Sequence, residues 1–323
     1  MGQKKKTGVS PKTIKWIWYA AFAPFALVAL MLVLTVFGVF GRMPSFEELE
    51  NPRSNLATEI YSEDGKVIGT FFVQNRSYVQ YADLYPSDST LHIRLAGHEV
   101  PPIVAALIAT EDVRFRTHSG IDIPSLARVA VKTLLLQNTS QGGGSTITQQ
   151  LIKNITEEKD YSIKRKVNEI FRAFALEKEI DDKDRILVMY LNTIYLGYNS
   201  YGAQTAADRY FGKDVSQLDL AECAVLAGLT NNPSIYDVYN HPDKVKSRQE
   251  TILSQMLDQN MITEDEYNTA VAEQLNYRPY EEYQKDVKST YSYFTDEVIK
   301  DVIGDLKEQK GYSELVAENM VYS

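Results

Sequence analysis

The sequence predicts a mainly helical protein with one membrane-spanning helix and a small β element after it, and three observations carry that expectation. Residues 16–41 hold no charged side chain. Residues 57–81 contain short β-prone runs separated by turn residues. From residue 102 to about 261 nearly every segment repeats its apolar side chains at three- and four-residue spacing. A chain of 323 residues has room for about two domain-sized units and a sizeable core. The order that follows is a basic tail 1–15, a span 16–41, a linker with the β element 42–94, a helical body 95–270 and a C-terminal stretch 271–323.

At about 1.5 Å per residue the apolar span is long enough for a hydrocarbon core of roughly 30 Å. A signal peptide is the competing reading, but its apolar run is about 7–15 residues and ends at a small-residue cleavage site. This run is longer and meets Arg42 first. Lys4, Lys5, Lys6, Lys12 and Lys15 precede it, which predicts a cytoplasmic amino terminus and an exported remainder. All 43 acidic residues follow Arg42, and a surface that acidic argues against nucleic acid as a partner. Cys223 is the sole cysteine, so no intrachain disulfide forms, and its apolar neighbours mark it as a small buried hydrophobe.

Residues 57–61 and 67–72 flank Glu63, Asp64 and Gly65 as a hairpin would, and residues 78–81 supply a third strand. This part reads as a spacer. The body begins with a helix in which Ile103, Val104, Leu107 and Ile108 share a face with Glu111. A carboxylate there is partly desolvated, which disfavours its charged form and suits a general base working near neutrality. Asp112 would point about 100° away around the same helix. The competing reading is a helix end whose acids stay in solvent.

Residues 121–136 carry Leu126, Val129, Ala130, Thr133 and Leu134 on one face, widened by Leu135 and Leu136. That face is either core or a surface dipping into the bilayer. Residues 141–154 read QGGGSTITQQLIKN. The glycines allow close backbone approach, and Thr146 with Gln149 fits a capping box opening a helix. Free N–H groups there, beside the hydroxyls of Ser145, Thr146 and Thr148, would bind an anion, with Lys153 reaching it as a point charge. The nucleotide P-loop spacing is missing, and a flexible turn with an ordinary cap is the alternative.

In residues 162–180, Ile163, Val167, Ile170, Phe171, Phe174 and Ala175 make one stripe. Glu169 lies off it, four after Arg165 and three after Lys166, a setting that favours its charged form. Two acids in opposite settings point to divided roles; a surface helix laced with ion pairs is the alternative. Residues 186–196 and 218–229 are apolar on most sides and read as central buried helices. Residues 244–259 are amphipathic, Thr263 with Glu266 caps a further helix, and residues 294–306 form the last.

His92, His98, His118 and His241 form no metal-ligand spacing, and neither G-x-S-x-G nor S-x-x-K occurs to supply a serine nucleophile. What remains is a partly buried base, an anion-binding turn and cations. Glycosyl transfer from a diphosphate fits that combination, one carboxylate taking a proton while Lys and Arg stabilise the departing oxygens.

Several motifs agree in order and spacing. They are Glu111, Asp112, Phe115, His118 and Gly120; the run from Gly143 and Gly144 through Ser145 and Thr146 to Gln150; Arg165, Lys166 and Glu169; Tyr190, Leu191 and Asn192; and Leu220, Ala221 and Glu222 leading to Pro233. Over about residues 95–265 the chain closely resembles the peptidoglycan glycosyltransferase domain, the lysozyme-like transglycosylase module of class A penicillin-binding proteins. The resemblance implies a lysozyme-like fold that polymerises lipid II into glycan strands by inverting transfer, with loss of undecaprenyl diphosphate. It implies that Glu111 deprotonates the acceptor hydroxyl and that Glu169 helps organise the donor diphosphate. Thr146, Gln150, Lys153, Asn154, Arg165 and Lys166 match donor-site positions, Asp112 and His118 shape the cleft, and Phe115 and Ser145 complete the substrate-binding set. On the residues alone no cofactor is expected to be built in, and an acid-only site would hold a Mg²⁺ or Mn²⁺ ion only loosely at the diphosphate. By the resemblance the chain's partners would be lipid II, the growing lipid-linked glycan, the bilayer and other cell-wall synthesis or division proteins, at a bacterial cell membrane. Residues 121–136 fall where the family has a membrane-associated subdomain. Tyr293 and Phe294 resemble the start of a connection to a transpeptidase domain, so the chain is expected to be the first part of a bifunctional enzyme or a short transferase. Two rivals stand beside this reading: a lytic transglycosylase or muramidase, which needs one glutamate but no phosphate site, and a non-catalytic membrane scaffold.

Overall fold

The structure is a computed structural model that describes residues 78–85, 93–95, 97–136, 144–156, 163–283 and 293–310, with 10, 12–16, 18, 19, 22, 23, 30, 58–61, 67–71, 75 and 76. Most of the apolar span at 16–41 falls outside them. Among the described residues no helix is long and apolar enough to cross a membrane.

Strands β1 (Thr58–Tyr61) and β2 (Val67–Phe71) pair antiparallel, as their flanking turn residues predict. Strand β3 (Asn75–Arg76) pairs in parallel with β6 (Ser200–Tyr201), and β4 (Ile93–Leu95) pairs antiparallel with β5 (His98–Val100). The helices are α1 (Pro102–Glu111), α2 (Ile123–Leu136), α3 (Ile147–Thr156), α4 (Ile163–Glu179), α5 (Lys183–Thr193), α6 (Ala203–Phe211), α7 (Leu220–Leu229), α8 (Pro242–Asp258), α9 (Glu264–Ala272) and α10 (Tyr293–Lys310).

Helices α1 and α7 pack together at the centre, with α8 against both. Residues 102–109 and the whole of α7 are buried, because sequences apolar on every side have no face to give to water. Asp219 caps α7 by accepting the Glu222 N–H at 2.8 Å, and Glu222 answers by accepting the Asp219 N–H at 3.2 Å. At Gly228 a Cβ would come within 2.9 Å of Arg248 Cγ, so glycine lets α8 lie close to α7. Cys223 is buried on α7, and burial pushes its thiol up. The capping box of Thr263 and Glu266 opens α9 as predicted.

Two expected elements differ. Residues 78–80 form no strand, and Tyr81–Leu84 is a 3-10 turn. Val79 pairs instead with a side chain: Asn192 donates Nδ2 to the Val79 carbonyl and accepts its N–H at Oδ1, both at 3.0 Å. One amide thus stands in for a neighbouring strand. The helix expected over 186–196 is α5, which starts earlier on the Asp182 cap and ends at Thr193. There the Thr193 hydroxyl turns back toward the Met189 and Tyr190 carbonyls at 2.9 and 3.1 Å, and Ile194 is extended at φ −65°, ψ 137°.

Candidate functional site

Helix α1 delivers Glu111 as its last residue, with its side chain 13% exposed. It does not sit on a bare apolar face as its spacing predicts, because three other elements bring polar groups to it. Gln150 of α3 donates Nε2 to Oε2 at 2.8 Å, Thr230 after α7 donates to Oε1 at 3.1 Å, and Arg248 of α8 holds Nη2 4.0 Å from Oε1. The Tyr190 hydroxyl donates to Gln150 Oε1 at 3.0 Å, which leaves the amide nitrogen to face the carboxylate. Burial, then the charge of Glu111, pushes the Tyr190 phenol up and keeps it a donor.

Asp112 does not continue round the helix as its spacing predicts. Its backbone (φ −157°, ψ 73°) leaves α1, and its buried carboxylate turns to His118 Nε2 at 2.9 Å and to the Ile147 N–H at 3.0 Å. The Gly120 N–H donates to His118 Nδ1 at 3.1 Å, so Nδ1 is the accepting nitrogen and Nε2 donates to Asp112. The first N–H of α3 is therefore occupied by a carboxylate of the protein itself, which corrects the expectation of an open anion site there. Gly120 has φ +80°, and a Cβ on it would meet the Ala173 carbonyl at 2.6 Å, so only glycine fits where this loop crosses α4.

Thr146 caps α3 by accepting the Gln149 N–H at 3.2 Å. Only that half of the predicted box forms. The Gln149 side chain donates instead to the Gly120 carbonyl at 3.3 Å, which also accepts the Thr146 hydroxyl at 2.8 Å. Lys166 donates to Gln149 Oε1 at 3.2 Å, to Ser145 Oγ at 2.6 Å and to Glu169 at 3.0 Å, while Arg165 donates to Glu169 at 2.6 Å. Glu169 is 4% exposed, which replaces the surface-helix alternative with a buried carboxylate held by two cations.

A groove of ≈ 220 Å³ runs from Thr110 and Glu111 past Arg114, Asp122, Ser125 and Arg128 to Ser145 and Thr146, with Asp112 also in its wall. Arg114 forks onto Asp122 at 2.7 and 3.1 Å, and Arg114 and Arg128 both donate to Ser125 Oγ, at 3.0 and 3.1 Å. Burial pushes the Asp122 carboxyl up, but the Arg114 and Ser125 bonds outweigh it and hold it below its ordinary range.

Of the predicted residues, Glu111, Asp112, Ser145 and Thr146 line the groove, and Gln150 and Lys166 bond directly to residues that do. Arg165 and Glu169 join through Lys166. Lys153 is exposed on α3, three residues beyond Gln150, and Asn154 beside it is half-buried; neither lines the groove. Phe115 is 0% exposed and so cannot contact a ligand, which removes it from the expected substrate-binding set; it packs edge-on against His118, with ring centroids 6.0 Å apart. His118 likewise stays behind the groove wall. Sequence reasoning missed Thr230, Arg248, Asp122, Ser125 and Arg128, because each acquires its role only from elements distant in the chain or from a single shared hydroxyl. Chemically, the site can take a proton at Glu111 in a groove that also carries Arg114 and Arg128.

A model of the Transglycosylase family matches residues 64–257. Penicillin-binding protein 1A of Neisseria gonorrhoeae is 38% identical over 237 residues, which is 73% of this chain and 27% of that protein. Penicillin-binding protein 1A of Pseudomonas aeruginosa is 36% identical over 265 residues, 82% of this chain and 30% of that protein. A crystal structure of penicillin-binding protein 1A from Haemophilus influenzae overlays 74% of this chain and 25% of that one at 24% identity, with a TM-score of 0.37, too slight to bear on the fold. The chain spans under a third of the length of the curated relatives it matches, 27% and 30%. With the family match running from before the first body helix to the end of α8, and these identities behind it, the chain belongs to the transglycosylase family.

Proposed function

We propose that this chain is a peptidoglycan glycosyltransferase that polymerises lipid II with loss of undecaprenyl diphosphate. The observation that carries this is the groove joining Glu111 to Ser145, with Lys166 bonded to Ser145 behind it. Glu111 takes the proton of the acceptor hydroxyl as that oxygen attacks the anomeric carbon. The cations beyond Ser145 offset the charge gathering on the departing diphosphate. Asp112 and Glu169 act as supports, since both carboxylates are already engaged within the protein. Family membership and the names of the relatives support the same reading.

The proposal places residues 16–41 across a bacterial cell membrane, amino terminus inside, with α2 against the outer leaflet. Ile123 at the start of α2 is 71% exposed and Val113 on the groove rim is 51% exposed, which supports an apolar approach to lipid. The growing glycan and other cell-wall synthesis proteins would meet the groove from the exported side.

The test is turnover of purified lipid II by the full chain in detergent. Wild type is expected to make long glycan, and Glu111→Gln to lose about 100-fold or more. Shortening of preformed glycan, with no polymer from lipid II, would favour a lytic enzyme. An unaffected Glu111→Gln would sink the assignment of the base.

A further inference from the structure

Among the groups around Glu111, one has a contested proton. The Thr230 hydroxyl lies 3.1 Å from Glu111 Oε1 and 2.8 Å from the Ala227 carbonyl oxygen, and it has a single proton for two acceptors. The other donors have no such choice. Gln150 must present Nε2 to Oε2 because Tyr190 of α5 donates to its carbonyl oxygen. Arg248 of α8, 4.0 Å away, is a permanent cation that also donates to Thr110 Oγ1 at 3.1 Å.

We propose that Thr230 is a positioning residue for Glu111, its hydroxyl serving the carboxyl group in both protonation states. The inference rests on Glu111 being the base. With Glu111 ionised, Thr230 donates to Oε1. When the acceptor hydroxyl loses its proton, that proton settles on Oε1, since Oε2 remains the acceptor of Gln150. The threonine proton then turns to the Ala227 carbonyl, and Thr230 Oγ1 accepts from the new Oε1–H. Threonine keeps its own proton throughout, and its rotation changes no bond to carbon. A group that could only donate would oppose the protonated base, and one that could only accept would oppose the ionised base. A hydroxyl beside a backbone carbonyl opposes neither.

Thr230→Val keeps the shape and removes the hydroxyl; Thr230→Ser keeps the hydroxyl and removes the methyl. Both would be compared with wild type and Glu111→Gln in lipid II turnover across pH, with thermal unfolding measured on each. For Thr230→Val, kcat is expected to fall about tenfold at unchanged KM. Thr230→Ser is expected to stay within about twofold of wild type. Wild-type kcat in Thr230→Val would overturn the proposal. So would a folded Thr230→Ser with a tenfold loss, which assigns the effect to packing of the methyl; this arm decides the matter alone if Thr230→Val does not fold. An inactive wild type, or a fully active Glu111→Gln, would remove the reading of Glu111 as base and this inference with it. The behaviour of Thr230→Val beside an inactive Glu111→Gln bears on Thr230 alone.

Discussion

Asp112 Oδ2 lies 2.9 Å from His118 Nε2 and 3.0 Å from the Ile147 backbone nitrogen, so a single buried oxygen ties the loop after α1 to the first turn of α3. Gln150, which holds Glu111, sits on that same helix. In Asp112→Asn a neutral amide must meet two donors, and its own NH₂ opposes one of them. The expected outcome is a loss of about 2 kcal/mol in denaturant unfolding, together with slower turnover although Glu111 is intact. A double variant with His118→Ala should lose less than the sum of the singles, because the two changes remove one shared interaction. Full additivity would show that the clamp does not act as a unit.

Glu273 gives a pH dependence far from the groove. Burial first, then the Asp219 charge and hydrogen bond, pushes its carboxyl up from 4.5 to about 7. A carboxyl raised in the folded state binds its proton more tightly there than in the unfolded chain. Its contribution to stability is therefore full below about pH 4.3 and is lost as pH rises through about 7. Above that, Glu273 stands ionised near Asp219 and Glu222, with Lys213 bonded to Glu222 at 2.7 Å as the neighbouring cation. Glu273→Gln is expected to shrink the fall in Tm between about pH 5 and about pH 8. An identical fall in both proteins would mean that other groups produce it.

How far the sequence reaches is clear from particular residues. Apolar periodicity found α1, α7 and α8, because burial on every side or along one stripe leaves a direct mark on residue order. Turn chemistry found the β1–β2 hairpin and the α9 cap, since those signals are local. Tyr78 and Val79 have strand-like side chains, yet the Val79 backbone pairs with the Asn192 side chain, more than a hundred residues away, and no local pattern encodes that. The site divides in the same way. Arg165, Lys166 and Glu169 are one helical turn apart and their contacts follow from spacing. The setting of Glu111 depends on Thr230 and Arg248, which spacing cannot reach.

Lys183 and Glu177 form a buried pair behind the Asp112 loop, with side chains 22% and 3% exposed. Lys183 also donates to the His118 carbonyl at 2.7 Å and lies 4.5 Å from the centre of the Phe115 ring, while Thr148 of α3 donates to Glu177. Burial lowers the Lys183 pKa, outweighing the Glu177 bond that would raise it. The two partners should therefore respond unequally to loss of the other. Lys183→Met strands a carboxylate that is almost fully enclosed and is expected to cost about 3–5 kcal/mol. Glu177→Leu strands an amine that is less enclosed and keeps its bond to the His118 carbonyl, so it should cost less. The sign follows from a folded pKa below the unfolded value of 10.5: the protonated amine favours the unfolded chain, and stability is regained as pH rises through the folded value toward 10.5. Denaturant midpoints of both single variants and the double variant at about pH 7 and about pH 9.5 would show this. The double variant should recover part of the Lys183→Met loss, and only Glu177→Leu should gain at the higher pH. Equal, pH-independent losses would mean that the pair contributes through packing rather than charge.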